Sequence, residues 1–93
     1  MSTLSEKTGR YEALLADALD AATVAAPADT PLGEAAADCR GMAGSYLEDG
    51  RHFQESGDEV NALAAFSYGH AWLDAGARIG LLDVPVEGDL FSV

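Results

Sequence analysis

The segment 59–79 most constrains what this chain can fold into, because its apolar positions overflow a single stripe. Placed on a helix at 100° per residue, only a narrow arc holding Ser67, His70, Asp74 and Arg78 is consistently polar. The rest of the circumference is apolar, from Ala71, Ala64, Tyr68, Ile79 and Trp72 round to Gly69, Ala62, Leu73 and Phe66. A helix that is apolar nearly all round must be covered nearly all round. The segment therefore reads as a packing element on which other parts of the chain lie, rather than as a reaction centre.

Two amphipathic segments precede it. Over 5–25, Tyr11, Leu14, Leu15, Ala18, Leu19 and Ala22 recur at three- and four-residue steps, while Glu6, Glu12, Asp17 and Asp20 lie off the stripe. The run Ala26-Pro27-Ala28-Asp29-Thr30-Pro31 breaks that pattern, with Thr30 as an N-cap and Pro31 at the first position of the next helix, where a missing N–H costs nothing. That helix spans 31–56 with a stripe of Leu32, Ala35, Cys39, Met42, Ala43, Tyr46, Leu47 and Phe53. Gly57 then serves as a left-handed stop, Asp58 as the following N-cap, and Gly80 as the end of helix 59–79. The tail 81–93 is too apolar to float free: Leu82, Val84, Val86, Leu90 and Phe91 supply cover.

Short connections make neighbouring helices antiparallel. The expected fold is all-α, an antiparallel up-and-down three-helix bundle with an apolar C-terminal tail packed on it, one domain over 1–93. Folding back at both turns sets Tyr11, Tyr46 and Tyr68 level, which predicts a layer of three tyrosines. Gly41, Gly44, Gly69 and Gly76 each sacrifice about 1 kcal/mol of helix propensity relative to alanine, which calls for close backbone approach or a function.

The run Tyr46-Leu-Glu-Asp-Gly, then Gly57-Asp58, then Ser67-Tyr68-Gly69-His70-Ala71-Trp72-Leu73-Asp74-Ala75-Gly76-Ala77-Arg78-Ile79-Gly80, resembles the archaeal family called domain of unknown function 357. The resemblance covers mainly 43–93 and is strongest over 67–80 and at Leu90-Phe91; residues 1–42 share only general helical character. It implies a small archaeal three-helix protein and brings no catalytic residues with it.

Charge narrows the setting. Sixteen acids oppose five bases, for a net charge of −11, and Lys7 is the only lysine. So acidic a surface repels itself at low salt and suits molar salt, where the Debye length falls to about 3 Å. The expected source is a halophile. A nucleic-acid partner is disfavoured, because phosphate binding needs a basic patch and Arg10, Arg40, Arg51 and Arg78 are scattered. No run reaches membrane-span length and the N-terminus lacks a basic-then-apolar leader. The lone Cys39 packs as a small hydrophobe in a reducing compartment. Together these features point to the cytoplasm.

The histidines carry the candidate chemistry. Asp49 and Glu48 flank His52 at helical spacing, but carboxylate-bridged bundles need the acid–histidine pair twice, facing inward, and here it occurs once on a polar face. His70 pairs with Asp74 at i,i+4 and lies about 12 Å beyond the level of His52, so no shared metal is expected. Ser67, His70 and Asp74 lack a nucleophile elbow or an oxyanion hole. They read as a polar strip facing water or a partner, with Asp74 beside Arg40. Helical nucleases of the HEPN class require an Arg four to six residues before a His, which neither histidine has. No phosphate loop, dinucleotide fingerprint or paired CxxC occurs.

The expectation is a non-enzymatic helical interaction module with no cofactor or metal. Ala62, Phe66, Gly69 and Leu73 form its interaction face, left over after the bundle is built, and its partner is a second copy in a homodimer or another protein. The alternative is a ligand-binding bundle whose aromatic pocket is lined by Tyr11, Tyr46, Tyr68 and Trp72 with His70 and Asp74 at its rim, the candidate ligand or polar strip being Tyr68, His70, Asp74 and Arg78.

Overall fold

The computed structural model describes residues 3–92; Val93, the end of the expected tail, lies outside them, as do Met1 and Ser2. Three helices dominate: α1 over Leu4–Ala21, α2 over Pro31–Glu55 and α3 over Glu59–Arg78. Two short strands, β1 at Thr23–Val24 and β2 at Leu82–Asp83, pair antiparallel. α3 packs on both other helices, which meet each other less extensively.

Local chemistry sets the boundaries. Thr3 accepts the Glu6 N–H at 3.1 Å, Thr30 accepts the Gly33 N–H at 3.1 Å, and Asp58 accepts the Asn61 N–H at 3.1 Å, so each helix starts on a side-chain cap. Gly57 takes φ +80 between α2 and α3, and Gly80 takes φ +84 after α3, both in the left-handed region that glycine enters freely. α1 is shorter than the expected 5–25. It stops at Ala21 because β-branched Thr23 and Val24 favour an extended backbone, and the tail offers them a strand: Val24 lies opposite Leu82, and the Ala25 N–H donates to the Leu81 carbonyl at 3.1 Å. The tail is thus tied to the α1–α2 connection by a ladder.

Arg40 closes the end of α1. Its Nε donates to the Ala22 carbonyl at 3.0 Å and its Nη2 to the Leu19 carbonyl at 3.1 Å, satisfying carbonyls that a helix C-terminus leaves without partners and placing positive charge there. The expected Asp74–Arg40 contact is accordingly not formed. An ion pair of 2.8 Å from Arg51 Nε to Glu12 Oε2 joins α2 to α1.

The core runs along the seam where α3 meets the other helices. It comprises Leu15 and Ala18 of α1, Ala36, Cys39, Ala43 and Leu47 of α2, Ala62, Phe66 and Leu73 of α3, and Leu82 of β2. Thr8 is also fully buried, its hydroxyl donating to the Leu4 carbonyl at 2.8 Å. Two glycines set how closely the helices approach. A Cβ on Gly50 would stand 2.2 Å from Phe66 Cε1, so the missing side chain forms the slot that Phe66 fills. A Cβ on Gly69 would stand 2.7 Å from Leu15 Cδ2 and 3.2 Å from the Ala43 carbonyl oxygen, placing Gly69 where all three helices converge.

That convergence corrects two expectations. Ala62, Phe66, Gly69 and Leu73 are not a spare interaction face; all four are buried within the bundle, because the small residues opposite let α1 and α2 close over them. Nor do three tyrosines form a layer. The Tyr46 and Tyr68 rings lie 5.8 Å apart at 35° on the outer side of the α2–α3 pair, while Tyr11 lines a hollow with Phe66, Ser67 and His70. Leu15 over Gly69 occupies the level at which three rings would have met.

Candidate functional site

With the Phe66 side of α3 closed, the other half of its apolar circumference is open. Tyr68 is 63% exposed, Trp72 40% and Ile79 72%, and Met42 of α2 faces solvent nearby at 38%. Met42, Trp72 and Tyr68 border three adjoining hollows that share Trp72 and Tyr68 as walls and together make an open groove beside the α2–α3 seam; Ile79 lines none of them. At one end Ala35, Asp38, Met42, Ser45, Trp72 and Leu81 surround a cleft of about 660 Å³. Trp72 and Tyr68, with Ala71 and Ala75, carry the groove past its middle. Tyr46, Asp49, Phe53, Asn61 and Ala64 line the far end, where Tyr68 again forms a wall. Alanines on α3 keep this surface shallow, so the aromatic rings stand out from it.

The polar strip lies on another side of α3 and has an occupant. The His70 Nε2 lies 2.5 Å from the Leu90 carbonyl oxygen, to which it donates, and its Nδ1 lies 3.1 Å from Asp74 Oδ2. Asp74 Oδ1 accepts the Ser92 N–H at 3.0 Å, and Arg78 Nη1 donates to the Ser92 carbonyl at 3.0 Å. The Phe91 ring sits 6.1 Å from the imidazole, centroid to centroid. His70, Asp74 and Arg78 therefore hold the backbone of the chain's own tail, gripping residues 90 and 92. Main-chain groups are what they read.

The remaining candidates are separate. Ser67 donates to the Leu63 carbonyl at 2.9 Å, turning its hydroxyl into its own helix rather than towards His70. His52 is exposed near the C-terminal end of α2, while His70 is half-buried beneath the tail. Tyr11 shares a hollow with His70 and Asp74, whereas Tyr46, Tyr68 and Trp72 border the outer groove. The aromatic pocket expected from these residues is thus divided between two sides of α3. Among the described residues no three His, Cys, Asp or Glu side chains converge as metal ligands, and no helix is long and apolar enough to cross a membrane.

A family model described as Protein of unknown function (DUF357) matches residues 10–82. The chain belongs to this family. Comparison with curated proteins and with solved structures finds no match. The DUF357 match begins inside α1 and ends at Leu82 in β2, further towards the N-terminus than the resemblance over 43–93 suggested. It takes in all three helices and both walls of the groove, and stops before the tail residues held by the polar strip.

The helical wheel of α3 contains Tyr68, Trp72 and Ile79 as part of the apolar arc, so the groove's α3 wall was visible in sequence. Which half of the arc stays open depends on Gly50, across the seam on α2. Its signal was a helix-weakening glycine placed to face Phe66, sixteen positions along the hairpin.

Proposed function

We propose that this DUF357 protein is a non-enzymatic helical interaction module whose contact surface is the α2–α3 groove. The observation carrying this reading is the exposure of Tyr68 and Trp72 beside Met42 along adjoining, mostly apolar hollows. Aromatic residues and methionine are enriched at the centres of protein interfaces, and contiguous exposed apolar surface on a small domain marks a contact site. The bundle needs none of these side chains for its core, which is filled from the opposite half of α3. The setting we propose is the cytoplasm of a high-salt cell, supported by a net charge of −11.

Photo-crosslinking tests the surface. A photoreactive amino acid at position 72 is expected to capture a protein in native high-salt lysate, while the same group at exposed Asp17 on α1 captures none. Equal capture at both positions, or none at 72, removes the assignment. Thermal melts test the setting: the midpoint is expected to rise from low to molar KCl as acid–acid repulsion is screened, and a salt-independent midpoint removes the high-salt reading.

A further inference from the structure

The groove has a length, a shape and a charged rim, and together they specify an occupant. Its two ends lie between the antiparallel α2 and α3 and its middle on α3 alone, a surface onto which a further helix packs as the next member of a bundle. Its α2 wall carries Asp38, Ser45 and Asp49 at i, i+7 and i+11, which lie on one face of the helix. Asp38 belongs to the cleft beside Trp72, and Asp49 to the opposite end beside Tyr68. Both carboxylates are exposed. Eleven residues of α-helix separate them by about 16 Å, or three turns. The apolar floor lies between them, and no lysine or arginine lines any of the groove's three sections.

Resting on the interaction reading above, we infer that the groove's partner is an amphipathic helix about three turns long whose apolar face is flanked at both ends by lysine or arginine. The apolar face lies over Met42, Trp72 and Tyr68, and its basic ends meet Asp38 and Asp49. A second copy of this chain fits worse, because its own exposed Asp38 and Asp49 would bring carboxylates, not lysine or arginine, into direct contact with the rim. Anionic helices and nucleic acids likewise bring no cation to pair with the two carboxylates. Recognition by shape and floor gives affinity, and the two carboxylates give polarity of choice.

Trp72 is the only tryptophan in the chain and reports occupancy directly. The probes are two designed peptides of about 18 residues with the same leucine stripe at helical spacing. One carries lysine at the two positions that meet the rim, and the other carries glutamate there. At low salt the lysine peptide is expected to shift Trp72 emission to the blue and to bind about tenfold more tightly than the glutamate peptide. The double variant Asp38→Asn/Asp49→Asn is expected to abolish that preference. Asp17→Asn/Asp20→Asn, which changes net charge equally on the exposed side of α1, is expected to preserve it. Equal affinity for both peptides would overturn the basic-helix inference while leaving the groove as an interaction surface. Equal loss in both double variants would overturn it too, by reducing the preference to net charge. No emission change with either peptide removes the inference and the groove reading together. A dimer in sedimentation that Trp72→Asp dissociates would overturn it in favour of a second copy.

Discussion

Phe66 and Tyr68 stand two positions apart on α3, both aromatic, both within one apolar arc, and their surroundings are opposite. Phe66 is 1% exposed in a slot formed by Gly50, whereas Tyr68 is 63% exposed, its ring 5.8 Å from that of Tyr46. Leu73 and Trp72 repeat the contrast at adjacent positions: Leu73 is fully buried and Trp72 is not. Hydrophobicity along α3 therefore does not decide which half is covered. The helix contacts decide it, by where α3 and its neighbours carry residues small enough to let them close. Gly50 on α2 makes room for the Phe66 ring, Gly69 on α3 itself lets Leu15 of α1 and the Ala43 backbone of α2 approach, and the other half is left as a surface. The apolar excess that a wheel detects is real, but which part of it is covered depends on where small residues on both sides of each contact let the helices close.

The contrast breaks most readily at the Phe66 slot. Phe66→Ala is expected to destabilise the protein by about 3–5 kcal/mol, as large aromatic truncations in cores do, measured by urea unfolding. Gly50→Ala separates packing from propensity. Alanine gains about 1 kcal/mol in an exposed helix, but here its Cβ would meet the Phe66 ring at 2.2 Å. Overpacking costs about 1–3 kcal/mol and occasionally more, so a net loss is expected; a gain in stability would mean that Phe66 does not fill that slot. At Asp74 the effect is smaller and local. Asp74→Ala removes the acceptor for the Ser92 N–H and the partner of His70, a loss of about 1 kcal/mol, read as faster hydrogen exchange at the Ser92 amide with the helical core unchanged. The smallest effect belongs to the open half: Tyr68→Ala is expected to stay within about 0.5 kcal/mol of the parent protein, as surface substitutions do.

The sequence's legibility divides along similar lines. Caps and stops are local chemistry, so Thr30, Pro31, Gly57, Asp58 and Gly80 mark α2 and α3 to within a residue. The early end of α1 was hidden because Thr23 and Val24 become a strand only when Leu82 and Asp83, sixty residues away, arrive to pair with them. The polar arc of His70, Asp74 and Arg78 was readable as a strip facing water or a partner, but not as a hold on the tail, since the three side chains bind backbone groups of residues 90 and 92 and backbone carries no sequence signature. Phe66 and Leu73, expected to lie on an open face, are buried, and the exposed large apolar side chains of α3 and its C-cap include Tyr68, Trp72 and Ile79 instead. A wheel ranks hydrophobicity, whereas burial here is decided by helix–helix distance.

The most direct measurement substitutes aspartate at the two adjacent positions and follows folding by circular dichroism with thermal melts. A carboxylate at position 73 would be buried without a partner, where the penalty is several kcal/mol, whereas at position 72 it would reach water. Leu73→Asp is expected to abolish the cooperative melt, and Trp72→Asp to keep the parent helix content with a midpoint close to the parent's. The reverse outcome, a folded Leu73→Asp and an unfolded Trp72→Asp, would contradict the division of α3 and return the open face to the Phe66 side.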